Sequence, residues 1–185
     1  MATTADIRKG HNIRYKNAIY SIIEFQHVKP GKGGAFVRLK LKNMETGQVL
    51  DDTIRAGATI EIIRIERRPY QYLYSDAENY YFMDKNSYEQ VPIGKHFLLG
   101  IGLYLKEGTD VTCLLADEKP VGVEPPMFVE LTIVETEPGH KGNTVSSGTK
   151  PAKTETGLKV NVPLFINVGD VLKIDTRTGQ YIERV

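Results

Sequence analysis

The stretch "HVKPGKGGAFVRLKLKN", residues 27–43, sets a single lysine, Lys32, between Pro30-Gly31 and Gly33-Gly34. A lysine becomes a nucleophile when burial or a neighbouring group lowers its pKa; otherwise it offers reach and a positive charge. No neighbouring acid or hydrophobe is positioned to activate Lys32, so reach and charge are what it has to give. Two readings fit the loop: a hairpin turn whose lysine is simply solvated, or a turn that exists to present it. Beyond the loop, Arg38, Lys40 and Lys42 alternate along one side of "FVRLKLKN" while Val37, Leu39 and Leu41 take the other. Together with Lys29 and Lys32 they form a basic stripe able to touch several phosphates. The solvated outer face of a half-buried strand gives the same pattern.

Other chemistry fails on spacing. "GKGG" is not a phosphate-binding loop, because that motif needs a glycine five residues before Gly-Lys-Ser/Thr and a helix after it. "GIG" at 100–102 lacks the third glycine of a dinucleotide fingerprint. His11, His27, His96 and His140 have no metal-ligand spacing, so no metal or other cofactor is expected. Cys113 lies in the apolar run "VTCLLA" and reads as a core residue, with no basic neighbour to stabilise a thiolate. Asp51-Asp52 and Asp117-Glu118 are adjacent pairs, and neighbours on a strand point to opposite faces, which is poor geometry for acid/base work. No nucleophile, base and orienting group assemble, so the chain is not expected to be an enzyme. Tyr70, Tyr72 and Tyr74 share one strand face, either packed inside a barrel or free to stack on bases.

The elements that must position these residues are strands. "IYSIIEFQHV" and "FVRLKLKN" form a hairpin over "KPGKGG", where Pro30 fixes its own φ and Gly31, Gly33 and Gly34 permit positive φ. Met44–Gly47 is a second turn, and "QVLDDTIRAGATIEIIRIERR" continues the strand pattern. "YQYLYSDAENYYFMD" reads as two strands over a Ser-Asp-Ala-Glu-Asn turn. "HFLLGIGLYLKEG" suits a short helical piece, and "TDVTCLLADEKPVGVEPP" a hairpin over Glu-Lys-Pro. "MFVELTIVETEP" alternates again, "GHKGNTVSSGTKPAKTETG" reads as a long loop, and three short strands follow with turns at 167–170 and 176–179. The expected fold is all-β: three small barrels in a row, an SH3-like barrel over 1–64 and OB-type barrels over 65–128 and 129–185.

The totals set outer bounds. The 185 residues are 41% hydrophobic and 25% charged, ordinary values for a folded globular chain. No apolar run approaches the roughly 18 residues that cross a membrane, and the N-terminus has no secretory core, so a cytoplasmic protein with no membrane partner is expected. The net charge of +1 hides an asymmetry: residues 1–64 hold 11 basic and 6 acidic side chains, residues 65–128 hold 6 and 10, and residues 129–185 hold 7 of each. The basic first third suits a polyanionic partner.

Along essentially its whole length the chain resembles bacterial elongation factor P. The resemblance is carried by "EFQHVKPGKGGAFVRLKLKN", by "YLYSDAENYYFMD", and by the final segment with Lys150-Pro151-Ala152, a Val-Pro strand and the Asp-Thr-Arg-Thr-Gly turn at 175–179. Archaeal and eukaryotic initiation factor five A shares the first two barrels and lacks the third, so the third barrel points to the bacterial family. The resemblance implies three barrels, the first of KOW type, in a monomer that binds the ribosome between the peptidyl and exit tRNA sites. There it would meet peptidyl-tRNA and ribosomal RNA and relieve stalling at consecutive prolines. It also implies that Lys32, bare or extended by a modifying enzyme, reaches toward the peptidyl-transferase centre. Gly34 departs from the glutamine typical of β-lysylated loops, which leaves the modification type open. Gly142-Asn143-Thr144 matches a family loop that usually reads Gly-Asp-Thr and faces the exit-site codon; Asn143 replaces the acid. Tyr181 and Arg184 match positions expected near tRNA or small-subunit RNA. Two alternatives stand beside this reading: a paralogue acting on a different stall, and a general OB-fold RNA-binding protein.

Overall fold

Alternation of apolar and polar residues becomes strand along most of the chain. The computed structural model describes residues 2–31, 33–98, 100–137 and 148–185. Among these, six strands form the first sheet: β1 (Ala2–Thr3), β2 (Asn12–Tyr15), β3 (Ala18–Val28), β4 (Phe36–Asn43), β5 (Val49–Arg55) and β6 (Thr59–Ile63). Five form the second: β7 (Ile65–Ser75), β8 (Asn79–Asp84), β9 (Gln90–Gly94), β10 (Asp110–Ala116) and β11 (Lys119–Glu124). The last five are β12 (Phe128–Thr136), β13 (Thr149–Thr154), β14 (Lys159–Pro163), β15 (Val171–Asp175) and β16 (Gln180–Arg184). Their orders are β1-β6-β2-β3-β4-β5, β11-β10-β7-β8-β9 and β14-β13-β12-β15-β16. The chain divides into two compact units, one of Met1–Arg68, Gly94–Leu99 and Cys113–Val123, the other of Pro69–Ile93, Gly100–Thr112 and Glu124–Val185.

The core of the first sheet is the inward row of each strand. Ile13, Ile22, Val37, Leu39, Leu41 and Ile60 are buried together with Ile7, and Tyr15, Tyr20, Phe25, Leu50 and Ile54 close the cluster. Burying each such aliphatic chain stabilises the fold by about 1.5–3 kcal/mol before entropy is counted. The last sheet repeats the device with Val129, Leu131, Ile133, Val160, Val162, Ile166, Leu172 and Ile174, sealed by Tyr104 and Tyr181.

Turn chemistry sets the connections. Asn43 Oδ1 accepts the amides of Glu45 and Thr46, and Gly47 closes that turn at φ 70°. Asp76 Oδ1 does the same for Glu78 and Asn79 between β7 and β8. In the 176–179 turn, Asp175 accepts from the Arg177 amide and guanidinium, which hold its carboxyl down to about 2.

The structure redraws three expectations and refines a fourth, the short helical piece. The β10–β11 hairpin turns on Asp117-Glu118, at φ 48° and 64°, while Lys119-Pro120 already belongs to β11; a two-residue hairpin of this kind (type I′) needs positive φ at both central positions, which proline cannot adopt. Asp117 and Glu118 are therefore turn residues rather than strand neighbours, and each carboxylate meets an arginine. Asp117 pairs with Arg14 at 3.2 Å and Glu118 with Arg68 at 3.2 Å. The long loop ends earlier than its composition suggests, because Thr149–Thr154 is strand β13, with Lys150, Ala152 and Thr154 buried. The helical piece is two short 3₁₀ turns, Lys95–Phe97 and Ile101–Tyr104. Tyr70 and Tyr72 are buried but Tyr74 is 46% exposed, because a bulge between Tyr72 and Tyr74 in the β7–β8 register turns it outward. It stacks on Tyr81 at 4.6 Å and 18°.

Candidate functional site

The β3–β4 hairpin positions the lysine loop. Its ladder runs from Tyr20↔Asn43 up to Val28↔Phe36, so pairing continues to the last residue on each side of the loop. The base is tied once more where the Ala56 amide donates to the Ala35 carbonyl. Above it Lys29, Pro30, Gly31, Gly33 and Gly34 are all exposed. A carbon placed on Gly31 or Gly34 would meet nothing within 4 Å, and one on Gly33 only the Pro30 ring at 3.9 Å. These residues stand clear of the barrel. Of the three glycines only Gly33 has positive φ, at 111°, so this is the position that the loop reserves for glycine. Lys32 lies outside the described residues.

The basic stripe is interrupted. Arg38 and Lys42 are exposed on β4, while Lys40 between them is half-buried. In register, Arg38 sits between Gln26 and Thr53, and Lys42 between Ser21 and Val49; Lys40 sits between Glu24 and Asp51. Opposite charges directly across strands attract, and of the three basic residues only Lys40 has an acid in register on either side. A groove of about 860 Å³ opens over this face, lined by Lys9, Glu24, Arg38, Lys40 and Asp51 among others. The acids were missed because the flanking strands were read one at a time. A bulge between Ile22 and Glu24 sets which β3 residue faces Lys40, and no local pattern announces it.

Beside the groove, Asp52 anchors a second network. Its Oδ2 accepts from the Tyr15 hydroxyl at 2.7 Å and the Lys16 ammonium at 2.8 Å, and its Oδ1 from the Thr53 amide at 2.7 Å. The Lys16 and Tyr15 hydrogen bonds lead in holding the carboxyl down to about 2. Asp51 and Asp52 both line the groove, and Asp52 also anchors this network.

The remaining candidates lie on the last sheet. Tyr181 is half-buried against its core and registers with Ile174. The Arg184 guanidinium is 3.7 Å from Asp170 and 5.9 Å from the Phe165 ring, so it is already engaged. Gly142, Asn143, Thr144 and His140 lie outside the described residues. Cys113 is buried in β10. Among the described residues no group of three His, Cys, Asp or Glu side chains is placed to hold a metal ion.

Comparison with known proteins matches the chain in three consecutive segments. The family models are Elongation factor P (EF-P) KOW-like domain over residues 3–60, Elongation factor P (EF-P) OB domain over 65–123, and Elongation factor P, C-terminal, over 129–184. The curated relative named Elongation factor P from Pelotomaculum thermopropionicum is 54% identical over 185 residues, spanning all of both chains. The one from Caldicellulosiruptor saccharolyticus is 51% identical over the same span. Among solved structures, Eukaryotic translation initiation factor 5A from Methanococcus jannaschii superposes with a TM-score of 0.54 at 22% identity, covering 67% of this chain and 90% of that one. That likeness is one of fold.

Proposed function

The chain belongs to the elongation factor P family of translation elongation factors, and on that premise we propose that it works by holding Lys32 out toward the peptidyl-transferase centre of the ribosome. The observation that carries this reading is the loop itself. A hairpin paired up to residues 28 and 36 carries an exposed loop with open space beside Gly31 and Gly34, on the most basic third of the chain. A fully paired base under an exposed loop suits an arm. The sequence sets only glycines beside Lys32, so its contribution is positional: it holds the end of peptidyl-tRNA in a reactive geometry while the ribosomal RNA supplies the chemistry. The protein itself is not an enzyme in this reading. It acts in the cytoplasm as a monomer, between the peptidyl and exit tRNA sites, and a modifying enzyme that extends Lys32 would lengthen the reach.

Arg38 and Lys42 then serve as phosphate contacts near the arm, and Gly142, Asn143, Thr144, Tyr181 and Arg184 meet RNA in the last third of the chain. Arg184 would exchange its Asp170 partner for a phosphate, an exchange of one exposed ion pair for another.

The test is a reconstituted translation system lacking this factor, supplied with protein from its native host. Synthesis of a reporter with three consecutive prolines is followed against a proline-free control. Selective rescue that disappears with Lys32→Ala supports the reading. Equal rescue by Lys32→Ala refutes the arm. No rescue by the native protein, with steeply salt-dependent binding to any single-stranded RNA, moves the function to a general RNA binder.

A further inference from the structure

The Gly100-Ile101-Gly102 stretch, which makes no dinucleotide fingerprint, has its own place in the second compact unit. It opens the 3₁₀ turn Ile101–Tyr104, entered through Gly100 at φ 87°. On one side this turn meets the middle sheet. A carbon on Gly102 would overlap the Tyr80 hydroxyl and stand 2.5 Å from its ring, so β8 packs here against bare backbone. On the other side it enters the last barrel. Tyr104 packs against that barrel's core, and a carbon on Gly179, in the β15–β16 turn, would lie 3.1 Å from its hydroxyl. Thr156 Oγ1 donates to the Leu103 carbonyl at 2.5 Å.

That bond ends a chain of hydroxyls whose direction is fixed. The Leu158 amide donates to Thr154 Oγ1 at 3.1 Å, and the Thr154 and Thr156 hydroxyls lie 2.9 Å apart. A carbonyl only accepts, so Thr156 directs its proton to Leu103 and the Thr154 hydroxyl donates to Thr156. Thr154 is fully buried. The Leu103 carbonyl, from outside the last barrel, therefore completes a polar network that starts inside it. The covalent entry to the barrel is elsewhere, at Pro125-Pro126-Met127. Thr176 holds it there, its Oγ1 donating to the Pro126 carbonyl at 2.7 Å and its amide to the Met127 carbonyl at 3.0 Å. A few connecting residues alone make a hinge; a second attachment at another point removes the rotation.

We propose that Ile101–Tyr104 is a pin that makes the last barrel and the part of the middle sheet in the same unit one rigid body, with Thr156 as the positioning residue that closes it. On the ribosome a joint already set removes an ordering step that binding would otherwise have to supply. This use rests on the function proposed above; the pin does not, and the experiment separates them.

Residual dipolar couplings of the full-length protein are measured for residues 69–93 and for β12 to β16. In wild type both sets are expected to fit one alignment tensor. Thr156→Val, which removes the bond, and Gly102→Ala, which pries the turn from Tyr80, should need two. Thr156→Ser keeps the hydroxyl and should stay with wild type. In the three-proline assay the concentration of Thr156→Val giving half-maximal rescue should rise about threefold with the plateau unchanged, the hold of one net hydrogen bond on the competent geometry. A role confined to stability would lower the melting temperature, followed by circular dichroism, and leave both readouts alone.

Should Thr156→Val fail to fold because Thr154 loses its acceptor, Gly102→Ala carries the same expectations with the hydroxyl chain intact. Two tensors in wild type, or one shared tensor in every folded Thr156→Val and Gly102→Ala protein, overturns the pin. Separate tensors with an unchanged half-maximal concentration overturn its use on the ribosome. No rescue by wild type overturns the function proposed above, and the couplings still decide the pin.

Discussion

Replacing Asp52 by asparagine keeps the shape of the side chain and removes its charge, in the middle of the network beside the basic strand. Three donors converge on this carboxylate, from Tyr15, Lys16 and the Thr53 amide, and they bring its pKa from 3.8 down to about 2. At about 1.4 kcal/mol per pH unit, that difference corresponds to roughly 2 kcal/mol in favour of the fold at neutral pH. The side chain is 25% exposed, so water screens part of the effect and about 1 kcal/mol is the working figure. Because the folded pKa lies below the unfolded one, the stabilisation is complete above about pH 4 and disappears as the pH falls toward 2. Amide hydrogen exchange at Leu39 and Leu41, both buried in the first barrel, reads that barrel within the full chain. The Asp52→Asn protein is expected to be less protected than wild type by about 1 kcal/mol at pH 7, with the gap closing between pH 4 and 2. A carbon-13 titration of the Asp52 carboxyl supplies the midpoint directly. A gap that does not depend on pH, or a midpoint near 3.8, would refute the argument.

Two further expectations concern the site. Gly33→Ala forces an L side chain into a φ of 111°, a strain of about 1 kcal/mol or more, whereas Gly34→Ala has open space and no such φ. Three-proline rescue should fall several-fold for the first and stay near wild type for the second; equal rescue would mean that the loop's conformation is irrelevant to the arm. On tRNA, Arg38→Ala and Lys42→Ala should each lower the slope of log affinity against log salt by about one. Lys40→Ala should leave the slope almost unchanged, because Glu24 and Asp51 flank it in register. Equal slope losses for all three, measured by filter binding across a salt series, would show that the acids do not balance Lys40.

Much of the fold was legible from local pattern alone. The alternation of Val37, Leu39 and Leu41 with Arg38, Lys40 and Lys42 marked β4 to its ends, and it marked the buried face as well. Asparagine, aspartate and glycine marked the turns after β4, β7 and β15, where a side chain caps its own backbone within three residues. These features need only neighbours in sequence, so the amino acids by themselves determined them. The glycine at position 33, where φ is positive, was legible in the same way.

What the tertiary structure decided was every partner across a strand. Lys40 has Glu24 in register because of a bulge in β3, Tyr74 is exposed because a bulge in β7 turns it out, and Asp117 and Glu118 are occupied by Arg14 and Arg68. Strand β13 was hidden because two lysines and a proline disguise its alternation, and the partner of the buried Lys150 ammonium, the Glu137 carbonyl, lies thirteen residues away in sequence. A period of two says which side of a strand a residue takes. Register, which one extra residue shifts, says what it meets there. That depends on closing the barrel, and no stretch of sequence contains it.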